Sequence, residues 1–209
     1  SIATVSNVAN FQPITSSTQA VAGSHVKTDA TGRALIEGTS TTVLDSNTEM
    51  TLAVLDTQKT QTRIQLEAGQ VWSRVKKLSD KGEFYEIGTQ NARASVRGTS
   101  FGFATKRVKN ETVPTLTVVE GLVRFGPIDL KKGDYVVGKD VFVPVGKKAV
   151  LTGSNDLVVS DVTNSDKKDS WFVYNNPSVG APPSSITIQP IKISQPPSGG
   201  SSAITKTIQ

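Results

Sequence analysis

Few side chains in this 209-residue chain are suited to chemistry, and they do not converge on a reaction. His25 is the single histidine and cysteine is absent, so the commonest zinc sites, built from several His and Cys ligands, have nothing to draw on. A lone histidine at a strand entrance reads as a packing or hydrogen-bonding residue. No phosphate-cradling glycine loop occurs. The 18 carboxylates are enough for a glycosidase pair, but sequence alone does not place two of them across one bond. Glu120 reads as a structural ion-pair partner of Arg97 or Arg124 rather than as an acid catalyst. Arg97, with five donors, suits the tying of carbonyls or a carboxylate at a corner, and an arginine fork also suits a ligand. The expectation is a protein without a catalytic residue, a metal or a cofactor.

The elements that position these groups read as short strands. Residues 89–103, TQNARASVRGTSFGF, alternate apolar with small or polar residues on either side of Arg97-Gly98-Thr99, which suits a strand, a corner and a second strand with Phe101 on its buried face. Gly98 is placed to turn the chain through a positive φ or a close backbone approach. Upstream, turn residues at Asp29-Ala30-Thr31-Gly32 and Asp45-Ser46-Asn47 separate apolar runs at the roughly 8–12-residue spacing of sandwiches, barrels and solenoids. Ile64 and Leu66, then Val71, Ser73 and Val75 opposite Trp72 and Arg74, predict strands. A helix over 68–78 is the competing reading, because Val71, Trp72, Val75 and Leu78 also fit helical spacing. Residues 104–115 look charged and turn-like, with Asn110-Glu111-Thr112 forming a glycosylation sequon that signals exposure. A hairpin-like pair is expected around Glu120-Gly121. Strands are expected again over residues 134–137, 141–145, 149–162 and 171–174.

No run approaches the roughly 18 apolar residues of a membrane span. The start lacks a charged-then-apolar leader, as expected of a processed exported chain. The net charge of +5 is spread over scattered pairs, Lys76-Lys77, Lys131-Lys132, Lys147-Lys148 and Lys167-Lys168. That pattern suits solvated faces and contact with anionic glycans more than a phosphate-tracking groove, so no nucleic acid is expected.

The segments VKTDATGRALI, TTVLDSNTEMTL, IQLEAGQVWSRV, FYEIGTQNARASVRGTSFGF and TVVEGLVRF together resemble the FecR-type domain of bacterial envelope proteins, over about residues 26–125. The most specific pieces are ASVRGTSF, ending at Phe101, and Val119-Glu120-Gly121. The resemblance implies an extracytoplasmic, non-enzymatic all-β module of short stacked strands, solenoid-like or a sandwich. In that family the domain is best known as the periplasmic part of a sensor that regulates a sigma factor, and it also recurs in large surface proteins. The regulatory members carry a cytoplasmic anti-sigma segment and a membrane span before the domain and a receptor-contacting domain after it. These are not evident in this chain.

The expected organisation is an N-terminal arm over 1–24, the FecR-like domain with a strand extension over 25–174, and a Pro/Ser/Gly-rich tail over 175–209. The arm has apolar residues three apart, at Ile2, Val5, Val8, Phe11 and Ile14, a spacing that fits neither a strand nor a stable helix. In the tail, prolines and the run from Ser198 to Ser202 suit an extended linker. Ile186, Ile188, Ile191 and Ile193, with Ile204 and Ile208 beyond, instead suit strand segments seeking a sheet edge. The function expected from this pattern is a structural subunit, secreted, periplasmic or at the cell surface, whose tail strand adds to a neighbouring copy to form a homopolymer, or that binds other envelope proteins. The alternative is a periplasmic regulatory module of a FecR-type signalling system.

Overall fold

The computed structural model describes residues 3–6, 12–14, 19–153, 156–177, 189–193 and 206–208. Strands β1 (Ala3–Ser6), β2 (Gln12–Ile14), β3 (His25–Thr28), β4 (Ala34–Glu37), β5 (Ser40–Leu44) and β6 (Glu49–Asp56) lead into the 15-residue β7 (Gln61–Val75). Then come β8 (Phe84–Gly88), β9 (Ala92–Val96), β10 (Thr99–Val108), β11 (Glu111–Glu120), β12 (Leu122–Asp129) and the short β13 (Asp134–Tyr135). Strands β14 (Val141–Pro144), β15 (Lys147–Thr152) and β16 (Asp156–Asp161) precede helices α1 (Asn164–Lys168) and α2 (Ser170–Asn175). The tail contributes β17 (Gln189–Ile193) and β18 (Lys206–Ile208).

These strands form two sheets that share β7. In the first, the order is β2-β1-β3-β6-β7-β8-β9-β12-β14. In the second, it is β18-β17-β4-β5-β7-β10-β11-β15-β16. The N-terminal half of β7 lies between β6 and β8, and its C-terminal half lies between β5 and β10. The layers are therefore joined as a curled sheet around one core, which resolves the choice between solenoid and sandwich in favour of facing sheets.

Alternation builds that core. Met50, Leu52, Ile64, Leu66, Ile87 and Phe125 point inward from the first sheet, and Leu44, Val71, Phe101, Phe103 and Leu116 from the second. Each such burial contributes roughly 1.5–3 kcal/mol before conformational entropy is set against it. Phe103 and Phe125 meet edge to face across the layers, with ring centroids 6.1 Å apart. The strand reading of residues 68–75 holds: Val71, Ser73 and Val75 are buried inward while Trp72 faces the other side.

Four sequence expectations change. Residues 104–115 are mostly strand, since β10 and β11 pair as far as Val108↔Glu111. Only Lys109 and Asn110 turn the chain, with φ of 48° and 66°, as a tight two-residue hairpin requires. β11 and β12 do not form a hairpin: β11 lies in the second sheet and β12 in the first, with Gly121 changing the layer. Residues 171–174 are helical. Asp169 caps α2 by accepting from the backbone N–H of Trp171 (2.9 Å) and Phe172 (3.3 Å), and Thr163 and Asp166 form a capping box for α1. The tail strand β17 runs parallel to β4 of its own chain, Ile191 opposite Ile36, and pairs with β18, Ile191 opposite Ile208. Within the arm, β1 pairs with β3. Ile186, Ile188 and Ile204 lie outside the described residues.

Candidate functional site

The residues singled out in the sequence gather where the chain crosses between the layers. β9 leaves the first sheet at Val96 and β10 enters the second at Thr99, so Arg97-Gly98 is an inter-sheet corner. Gly98 has φ of 86°, and a Cβ there would lie 3.0 Å from the Cα of Lys77 in the neighbouring crossing. The next crossing, at Gly121, stacks directly on it: with φ of 81°, a Cβ would lie 2.6 Å from the Gly98 carbonyl oxygen and 2.7 Å from Thr99 Cγ2. The two most specific pieces of the FecR resemblance are thus adjacent corners that fit only without side chains.

Their companions are structural. Phe101 is fully buried and meets Tyr85 edge to face at 6.3 Å. Thr99 is buried, whereas Arg97 and Glu120 are exposed. Neither forms the ion pair expected of it: Arg124 Nε donates instead to Asp140 Oδ2 at 2.7 Å, with its guanidinium 4.1 Å over the Tyr135 ring. Arg124 and Asp140 are brought together by the β12–β14 ladder, which their sequence separation does not reveal. This hydrogen bond holds the Asp140 carboxyl below the usual carboxylate range. The Arg97 charge contributes, after the backbone N–H groups of Asp80 and Ser79, to holding Glu83 low.

His25 Nδ1 lies 3.2 Å from Thr51 Oγ1, which donates to Glu67 Oε1 at 2.8 Å. The three residue types match a triad, but the order does not. In a catalytic triad the imidazole stands between the hydroxyl and the carboxylate and removes the hydroxyl proton; here the hydroxyl is in the middle and gives its proton to the carboxylate. Among the described residues no group of His, Cys, Asp and Glu is placed to hold a metal. The buried Tyr85 hydroxyl is held by other side chains: it lies 2.6 Å from Thr42 Oγ1 and 2.8 Å from Ser73 Oγ, and burial pushes its pKa up to about 12.

On the outer face of the second sheet, α2 is docked over Trp72. The Trp72 ring meets Phe172 edge to face at 5.6 Å and donates from Nε1 to Ser100 Oγ at 3.2 Å. Gly102 lies beneath it, where a Cβ would come 2.9 Å from Trp72 Cζ3. Arg33 clamps the helix: its guanidinium lies 4.5 Å from the Tyr174 centroid and 5.2 Å from that of Trp171, while Nε donates to Asp45 Oδ1 at 2.7 Å. Gln70 Nε2 donates to the other Asp45 oxygen at 2.7 Å, and an Arg74 nitrogen to the Asn175 carbonyl. A cleft of about 450 Å³ remains beside this clamp, walled by Trp72, Phe172 and the Lys148–Asp166 pair, with Thr115 and Thr117 on its floor strand. Sequence reasoning missed this cluster because its members span residues 33–175; the T-x-x-D pattern at Thr163 was the available signal for helix.

These features define an all-β domain whose distinctive residues serve the crossings between two layers. The family described as FecR protein matches residues 24–124. No curated protein matches the sequence. Crystal structures at 1.65 and 2.50 Å resolution of proteins from Parabacteroides distasonis, each described as a candidate anti-sigma factor, share the fold with a TM-score of 0.52. Identity is 14% and 13%, and each match covers 70% of this chain but 63% of the other. The chain therefore spans less than two thirds of the length of those proteins, and the likeness concerns fold alone.

Proposed function

We propose that this chain is a non-enzymatic, extracytoplasmic FecR-type module that regulates by binding another protein of the cell envelope. The match of residues 24–124 to the FecR family carries this reading. The likeness in fold to proteins described as candidate anti-sigma factors supports it. The homopolymer reading draws no comparable support, and the tail strand expected to join neighbouring copies pairs with β4 of its own chain. Contact with anionic glycans rests only on the general positive charge.

Photo-crosslinking of the full chain in the envelope of its source organism tests the proposal, combined with transcript profiling after its deletion. The expected result is a crosslinked envelope protein other than the chain itself, together with altered transcription of a defined gene set. Crosslinks only between copies, with light scattering that shows large oligomers for the intact chain and monomers for one ending at Asn176, would overturn it in favour of a structural subunit.

A further inference from the structure

The exposed apolar side chains are unevenly distributed. Of the eight exposed large hydrophobics among the described residues, five lie between positions 122 and 145: Leu122, Leu130, Val137, Phe142 and Val145, with Phe142 63% and Val137 90% exposed. Phe142 lies on β14, Val145 follows it and Leu122 stands opposite Pro144; the ladder of β14 among the described residues is with β12 alone, so its other side is an open edge of the first sheet. Val143 points into the core while Phe142 and Pro144 point outward, and Phe142 stands opposite Arg124 and Pro144 opposite Leu122. An apolar outward row therefore runs beside unpaired backbone. Natural edges are normally blunted by charges placed on the strand itself; β14 carries none and has only its short length and Pro144.

The charges lie around the edge instead. Lys131, Lys132 and Lys139 are exposed and enter no ion pair among the described residues. Of the neighbouring acids, Asp140 is paired with the Arg124 guanidinium, while Asp129 accepts from the N–H groups of Lys131 and Lys132 and Asp134 from the N–H of Tyr135. We propose that the edge at β14 takes an extended segment of a partner protein as an added strand, one that alternates apolar with acidic residues. Backbone hydrogen bonds supply the attachment, Phe142 and Pro144 receive every second side chain, and the lysines select the charge. This proposal rests on the protein-binding reading above and assigns it a surface.

The probes are two eight-residue fluorescent peptides, one alternating valine with glutamate and one alternating valine with lysine, titrated against the full chain by anisotropy. The glutamate peptide is expected to bind at least about tenfold more tightly than the lysine peptide. Phe142→Thr is expected to weaken it by about tenfold, and Val158→Thr, on the open edge β16 of the other sheet, by less than about twofold. Because Phe142 is exposed, its variant is expected to keep the unfolding transition. Amide exchange at residues 141–144 is a second readout, and it should slow when the peptide is bound.

Equal binding of the two peptides, equal loss in the two variants or unchanged exchange at 141–144 would overturn the proposal. So would binding confined to phosphatidylglycerol vesicles, which would make the patch a lipid contact. A crosslinked envelope partner retained in Phe142→Thr would remove this edge while leaving the regulatory reading intact. Peptide binding at the edge without any crosslinked partner in cells would do the reverse.

Discussion

Replacing Gly121 with alanine tests whether the stacked crossings depend on close backbone contact or merely on an unusual backbone angle. At φ of 81° a side chain costs roughly 1–2 kcal/mol in conformation. The added Cβ must also displace the Gly98 carbonyl oxygen from 2.6 Å, a backbone atom that cannot swing aside, which adds about 1–3 kcal/mol of overpacking. Reduced freedom of the unfolded chain returns about 0.4–1 kcal/mol. The expected net loss is about 2–4 kcal/mol. Gly133 provides the control, with φ of 68° and nothing within 4 Å of its Cβ position, so alanine there meets the angle cost alone and should lose about 1 kcal/mol or less. Urea titration followed by tryptophan fluorescence measures both. In thermal unfolding the two variants should differ by roughly 3–8 °C for a chain of this size. Equal losses would refute the close-contact argument and leave the glycine pair explained by backbone angle only.

Arg33→Ala leaves the mostly buried Asp45 carboxylate with Gln70 but without its cation, and should cost about 3 kcal/mol in urea titration. Arg33→Lys should recover only part of this, because it cannot stack flat on Trp171 and Tyr174. Asp169→Ala removes the cap of α2 and should cost about 1 kcal/mol, with a red shift in Trp171 emission showing that the helix has loosened. Alkaline titration tests the buried phenols: Tyr85 and Tyr135 are both pushed up to about 12, chiefly by burial, and Tyr174 is raised for the same reason. Below pH 10 neither state releases these protons; between about 10 and 12 the unfolded chain does so and the folded one does not, so stability falls as pH rises, by roughly 3 kcal/mol for each of Tyr85 and Tyr135. Phenolate absorbance should therefore appear together with unfolding, and a stepwise rise near pH 10 in a protein that stays folded would contradict the assigned burial.

Alternation made the inward faces legible: Ile64, Leu66, Val71, Val75 and Phe101 are core residues as their spacing implied. Gly98 was legible as a corner because its neighbours alternate on both sides. The layer assignment was not legible, since an inter-sheet corner and a hairpin place glycine between two apolar runs alike. Only pairing partners distinguish Gly121, which changes layers, from Asn110, which does not. Trp171 to Tyr174 looked strand-like because four residues of aromatic and β-branched type outweigh helix propensity locally, whereas the deciding influence is the Asp169 cap and the seat over Trp72. The ion pairs were least legible, because Arg124–Asp140 and Arg33–Asp45 are set by strand register and loop placement rather than by spacing along the chain.

Because β7 belongs to both layers, neither layer has a boundary at which it can come apart alone. Stripping β5 and β10 from the C-terminal half of this strand exposes the same core that β6 and β8 close from its other half. The domain should accordingly melt in one step, with no surviving half-molecule. It should also fold on the slow millisecond-to-second scale of non-local β topologies, as β7 must wait for partners made before and after it. A pull applied along the chain then meets a single barrier rather than a series of yielding layers.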